Sequence, residues 1–348
     1  MRIIDANLNR AREALRVVEE VFRLGISDRE ASTEIKQLRH GLAAVAKELG
    51  QTALLGARDS ASDVGRELVV KNQKHAYAGM PDIAAANMKR AQEALRVLAE
   101  TSRLAAPALA PRFEKMRFEV YEIERMRLPR LARGSRLESV LLYSLVTSAI
   151  SPMPLPKMVA MLVEGGVDAI QLREKTMPDG AFARLAEKIR DICRKRGALF
   201  IVNDRVDIAA AVGADGVHLG QEDLPPADAR RVLGESGMVG ISTRSPVMAL
   251  KALRDGADYI AIGPVFESRV APNKDAVGVQ AAGRATKSIG APVFAIGGIS
   301  ASRLPLVLES GCRRVAVCTA LLWARDPAAE AAKFKRILKA NLRGIPRE

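Results

Sequence analysis

IVNDRVDIAAAVGADGVHLGQED, residues 201–223, sets Asp204 and Asp223 just after two short apolar runs that read as buried strands. Acids at the ends of consecutive strands are the means by which an α/β barrel usually holds a divalent metal. Upstream, QLREK (Gln171 to Lys175) closes another apolar run with Arg173 and Lys175, two residues apart and so on one face of a strand. Metal carboxylates facing fixed cations point to a pyrophosphate site.

Working outward, short β-branched runs alternate with helical segments from Leu137 onward: SVLLYSLVTS, DAIQLREK, ALFIVND, GVHLG, MVGIST, YIAIGPVF, PVFAIGGI and RVAVCTAL. Strands separated by helices imply right-handed βαβ units and a parallel sheet. Eight such units in about 210 residues predict an α/β fold of the (β/α)8 TIM-barrel kind, with a doubly wound sheet as the alternative. In a barrel the chemistry sits at the C-terminal strand ends. Gln171, Arg173 and Lys175 close the second strand and Asn203 and Asp204 the third. Gln221 and Asp223 follow the fourth, and Ser242 and Thr243 close the fifth. Taken singly, each fits a salt bridge or a loop cap, but four successive strand ends do not. Gly297-Gly298 after strand seven and Cys318-Thr319 at strand eight lie where backbone N–H groups commonly cradle a phosphate. His218 on strand four fits a buried, hydrogen-bonded imidazole as well as a chemical role. Tyr143 on strand one reads as core or substrate wall.

The first third of the chain has a different period. NLNRAREALRVVEEVFR (7–23) recurs as NMKRAQEALRVLAETSR (87–103), identical at ten of seventeen positions. Ala11, Leu15 and Val18, like Ala91, Leu95 and Leu98, make an apolar helix stripe, and Asn7 and Asn87 stand where N-caps belong. With further helices at about 28–49, 51–57 and 108–128, residues 1–128 read as an all-α helical bundle with an internal repeat. An Arg-rich linker (129–137) and the barrel (138–348) follow. Arg10, Glu13, Arg16, Glu20 and Arg23 reappear as Arg90, Glu93, Arg96, Glu100 and Arg103. Surface ion pairs and a site between the two helices both account for that match.

Composition excludes several classes. Of 348 residues, 48% are hydrophobic and 27% charged, as in a soluble globular protein with no apolar run able to span a bilayer. Three cysteines without CxxC and an N-terminus without a secretory core predict a reduced, cytoplasmic protein. The net charge of +14 is split evenly, about +7 in 1–137 and about +7 beyond, and aromatic content is 4%, so no nucleic-acid partner is expected. The one local concentration is Arg125, Arg127, Arg130, Arg133 and Arg136, read as a helix end plus linker.

At these residues the chain from about 138 to 340 resembles thiamine-phosphate synthase. QLREK, NDRVDIA, GADGVHLGQEDLP, GIST, GADYIAIGPVF, AIGGI and RVAVCTA stand in that family's order and spacing. The resemblance implies joining 4-amino-2-methyl-5-hydroxymethylpyrimidine diphosphate to hydroxyethylthiazole phosphate, with release of pyrophosphate, through a pyrimidine carbocation. It implies Mg²⁺ at Asp204 and Asp223, diphosphate contacts from Arg173, Lys175, Asn203 and Ser242, and a pyrimidine contact from Gln171. Gly298, Cys318 and Thr319 fall where backbone groups take the thiazole phosphate. The family's Thr-x-Thr-Lys after GPVF is replaced by Glu267-Ser268-Arg269-Val270-Ala271-Pro272-Asn273-Lys274. Ser268 stands in for the first threonine, and Lys274 or Arg269 for the lysine. The alternative is a barrel similar to the thiazole tautomerase, which transfers no diphosphate and needs no metal there.

RIIDANLNRAREALRVVEE, SDVGRE and NMKRAQEALRVLAE resemble the helical domain fused to some synthases, which implies a hydroxymethylpyrimidine phosphate kinase using ATP. No GxxxxGK[ST] loop is present. A non-catalytic module for dimerisation or regulation is the rival reading, and a homo-oligomer is compatible with either.

Overall fold

Ile4, Leu8, Ala11, Leu15 and Val18 recur at helical spacing and are all buried, as are Ala84, Met88, Ala91, Leu95 and Leu98 at the same spacing. These stripes form the helices Arg2–Glu20 and Met80–Ala105, which pack on one another. The computed structural model describes residues 1–26, 28–58, 76–268 and 275–343. It divides into two compact units, Met1–Ser135 and Arg136–Glu348.

In the helical unit the pair is joined by Arg29–Glu48, Gln51–Gly56 and Ala110–Glu138, all contributing to one apolar core. Asp28 caps the Arg29 helix, its carboxylate accepting from Ala31 N at 3.0 Å. Asn7 and Asn87 are not N-caps. Each lies one turn or more inside its helix, buried, and donates from Nδ2 to the carbonyl four residues back, Ile3 or Ile83, at 2.8 Å. A buried amide satisfied this way needs no helix terminus. The matched Arg and Glu residues form two surface ladders, Arg16–Glu20–Arg23 and Arg96–Glu100–Arg103. Their arginines are about half exposed, so solvent screening leaves each pair only a small contribution to stability.

The Ala110–Glu138 helix runs through the Arg-rich residues 129–137, with Pro129 inside it. An interior proline costs a helix about 3 kcal/mol. Tertiary contacts on both sides offset this. Leu131 is buried, and Arg127 pairs with Glu34 at 2.6 Å and Glu30 at 3.3 Å. Arg125 pairs with Glu122, Arg130 with Asp28 and Arg136 with Asp215, so these arginines are spent on carboxylates rather than offered as a basic patch.

The second unit is a closed barrel of eight parallel strands in chain order: β1 Leu142–Val146, β2 Ala169–Leu172, β3 Leu199–Asn203, β4 Gly216–Leu219, β5 Met238–Thr243, β6 Tyr259–Ile262, β7 Val293–Ile296 and β8 Arg314–Val317. Outward residues pack on the surrounding helices, while Tyr143, Ala169, Leu199, Ile201, Met238, Tyr259, Phe294 and Ala316 fill the interior. Gly240 makes room for the Tyr259 ring, since a Cβ there would lie 2.0 Å from Tyr259 Cζ. At the N-terminal end a device repeats: Asp168, Asp215 and Asp258, each just before or at the start of an even strand, accept an N–H from the preceding strand at Leu142, Phe200 and Val239. Each also pairs with a cation, Lys335, Arg136 or Arg230. No helix among the described residues is long and apolar enough to cross a membrane.

Candidate active site

Strand parity and the closed barrel bring the polar strand ends to one mouth. Asp204 follows β3 with φ 61°, the one described non-glycine residue in the left-handed region. A short acidic side chain tolerates that conformation at modest strain, and such strain concentrates at functional sites. Its N–H donates to His218 O at 2.9 Å, and its carboxylate pairs with Lys175 Nζ. Asp223 accepts from Gly220 N at 2.6 Å. Burial raises the Asp223 pKa, the adjoining Asp204 carboxylate adds to the rise, and the Gly220 N–H and Lys175 oppose it. Two carboxylates pressed together against their mutual repulsion, with oxygen donors only, suit a hard divalent cation. No group of three or more such ligands occurs among the described residues, so phosphate oxygens and water would complete the shell.

Other residues named from the sequence lie at neighbouring strand ends. Arg173 follows β2, its backbone N–H donating to Val146 O at 2.9 Å, and Asn203 ends β3 nearly buried. Gln171 is buried and donates to Tyr143 OH at 2.9 Å. Ser242 Oγ lies 2.9 Å from His218 Nε2, and Gln221 Nε2 donates to the Ser242 carbonyl. A second cluster lies at β7 and β8. Gly298, Ser300, Arg303, Thr319 and Lys333 line a cavity of about 670 Å³. Gly298 has φ 64°, and a Cβ on it would meet Glu267 O at 2.3 Å. Cys318 precedes the short helix Thr319–Leu322, and burial pushes its thiol up to about 11 despite the nearby Arg173, so it offers backbone rather than a nucleophile. Ser268 is half-buried beyond β6, whereas Lys274 and Arg269 lie outside the described residues.

Two participants escaped the sequence reading. Arg303 donates to Gly298 O at 3.0 Å and stacks over Phe266 at 5.0 Å, adding a cation to the second cluster. Tyr259, read only as strand, hydrogen bonds to both Tyr143 and His218. A tyrosine at an inward strand position was the available signal, because its hydroxyl must find a partner.

These features have counterparts in known proteins. The family description "Thiamine monophosphate synthase" matches residues 142–321. A thiamine-phosphate synthase of Gloeobacter violaceus is 41% identical over 336 residues, 96% of this chain and 95% of that protein. The chain belongs to the thiamine-phosphate synthase family. Another family member, from Nostoc punctiforme, is 40% identical over 94% of this chain and 90% of its own length. Among solved structures, a thiamine phosphate pyrophosphorylase of Pyrococcus furiosus shares the synthase barrel at 34% identity and a TM-score of 0.55, covering 61% of this chain and 99% of that one. The description "ThiD2 family" matches residues 2–126, the helical unit.

Burial of His218 is expected to make this synthase-family barrel acid-sensitive. His218 is held neutral, its pKa lowered from 6.5 to about 4 by desolvation, with Asp223 opposing. The unfolded chain takes up that proton near 6.5 and the folded one only near 4, so acidification between these values favours unfolding. Barrel stability is expected to fall by up to about 3 kcal/mol across that window through this group. Denaturant unfolding at stepped pH checks it: His218→Gln should flatten this part of the slope, and an unchanged slope would reassign it to the carboxylates.

Proposed function

We propose that the barrel condenses 4-amino-2-methyl-5-hydroxymethylpyrimidine diphosphate with hydroxyethylthiazole phosphate to give thiamine phosphate and pyrophosphate. The observation that carries this reading is the meeting of Lys175, Asp204 and Asp223 at one point of the mouth. Asp204 and Asp223 would hold Mg²⁺, which would neutralise charge on the diphosphate. The bond from the pyrimidine methylene carbon to the diphosphate oxygen breaks, and its electron pair leaves with the oxygen. Arg173, Lys175, Asn203 and Ser242 donate to the diphosphate as this charge grows, and interactions that strengthen there lower the barrier. Gln171 orients the pyrimidine ring, whose amino group spreads the positive charge left on the methylene carbon. The thiazole nitrogen then supplies the pair for the new C–N bond, its phosphate anchored at Gly298, Cys318 and Thr319 with Arg303 beside them. Ser268 beyond β6 adds a further diphosphate contact, and Lys274 or Arg269, both outside the described residues, supplies the remaining cation.

The helical unit supplies the diphosphate substrate by ATP-dependent phosphorylation of the pyrimidine monophosphate, a reading supported by the ThiD2 match over residues 2–126. Full-length protein with Mg²⁺ and thiazole phosphate, given either the pyrimidine diphosphate or the monophosphate plus ATP, tests both halves. Thiamine phosphate from both mixtures supports the two activities. Product from the diphosphate alone removes the kinase and leaves a binding or assembly module, and product from neither removes the synthase reading.

A further inference from the structure

Five side chains from five strands form one hydrogen-bonded chain through the barrel. Gln171 Nε2 on β2 donates to Tyr143 OH on β1 at 2.9 Å, and Tyr143 OH lies 3.0 Å from Tyr259 OH on β6. Tyr259 OH is 3.2 Å from His218 Nδ1 on β4, and His218 Nε2 is 2.9 Å from Ser242 Oγ on β5. Tyr143, Tyr259 and His218 are buried, and burial keeps both phenols protonated and the imidazole neutral. The ends of the chain, Gln171 and Ser242, are the groups assigned above to the two halves of one substrate.

Proton counting leaves this chain two self-consistent polarities, because each hydroxyl has one proton and a neutral imidazole one N–H. In the first, Gln171 donates to Tyr143, Tyr143 to Tyr259, Tyr259 to His218 Nδ1, and His218 Nε2–H to Ser242. The Ser242 proton is then free to point into the mouth. Gln171 Oε1, which accepts no hydrogen bond among the described residues, stays available as an acceptor. In the second polarity every bond reverses: Ser242 donates inward and shows lone pairs to the mouth, while Gln171 presents its amide N–H groups. Reversing one end requires reversing the other.

We propose that this chain couples recognition of the pyrimidine amino group at Gln171 to grip on the diphosphate at Ser242, with Tyr143, Tyr259 and His218 as positioning residues. The inference rests on the condensation reading. An exocyclic amino group donates and so selects Oε1 of Gln171, and a diphosphate accepts and so selects an outward Ser242 hydroxyl. Both demands are met by the first polarity. A pyrimidine bearing a carbonyl oxygen in place of the amino group asks for the second, and its diphosphate then faces Ser242 lone pairs. Buried chains of this kind polarise along their length, which strengthens the coupling.

Two measurements test it. In full-length protein with ¹⁵N-labelled histidine, Mg²⁺ and inorganic pyrophosphate, ring ¹⁵N shifts report the His218 tautomer, assigned by its loss in His218→Gln. The Nε2–H form is expected, and the Nδ1–H form overturns the proposal. In a double-mutant cycle, Tyr259→Phe should lower kcat/KM for the pyrimidine diphosphate by about 10-fold, and by little in a Ser242→Ala background. Equal losses in both backgrounds mean that Tyr259 acts by packing alone and overturn the coupling. Should Tyr259→Phe fail to fold, Tyr143→Phe breaks the same chain and carries the same cycle. Wild-type protein that makes no thiamine phosphate defeats the condensation reading instead, while the tautomer still reports on the chain.

Discussion

Asp204→Asn and Asp223→Asn are each expected to lower turnover by about 10²- to 10³-fold with the fold intact, on the scale of losing one electrostatic stabiliser of a developing anion. Asparagine suits the Asp204 test because it tolerates the left-handed backbone at φ 61° and keeps the side-chain shape. What disappears is one negative charge and the pairing with Lys175. If the carboxylate holds Mg²⁺, raising the metal concentration partly restores thiamine phosphate formation. If Asp204 serves only to aim Lys175, the Mg²⁺ dependence stays unchanged and Lys175→Ala adds nothing to the loss. Near-normal turnover in either variant would sink the metal assignment.

Gly298→Ala should act in the opposite way, through structure first. Its Cβ must enter a left-handed backbone at φ 64° and lie 2.3 Å from Glu267 O and 2.8 Å from Phe266 Cβ. Strain of that kind together with overpacking costs about 2 to 5 kcal/mol. The segment that gives way also carries the proposed phosphate cradle and the Arg303 contact. KM for the thiazole phosphate should therefore rise at least about 10-fold, with KM for the pyrimidine diphosphate much less affected. Steady-state kinetics in each substrate, alongside the barrel's unfolding transition, check both parts. A variant with normal stability and normal KM would place the phosphate elsewhere.

The eight strands were legible because each is a short apolar run that stops at a polar residue, a cysteine or a glycine, and a parallel barrel needs little more. Its site was legible for the same reason, since a closed barrel gathers strand ends at one mouth. The helix starts were misread at Asn7 and Asn87 although the signal was present: Ile4 and Leu8, like Ala84 and Met88, extend the apolar stripe a further two turns towards the N-terminus. Pro129 suggested a break because local propensity was weighed without Leu131 and the Arg127 pairs, which are tertiary facts. Asp168, Asp215 and Asp258 show a converse limit. Asp215 and Asp258 lie in the quoted stretches GADGVHLGQEDLP and GADYIAIGPVF, yet all three carboxylates sit at the N-terminal end of the barrel, tying neighbouring strands. The Tyr143–Tyr259–His218 chain joins residues far apart in sequence, and only the closing of the barrel brings their inward positions into hydrogen-bond range.

The helix through Pro129 also governs how the chain meets a protease. Residues 125–136 hold five arginines, each a trypsin cleavage site by sequence. A protease cuts extended chain, so cleavage here must await unwinding of a segment pinned by Leu131 and the Arg127–Glu34 pair. Brief trypsin treatment of the native protein should leave bonds 125–136 intact, and Glu34→Ala should open them first.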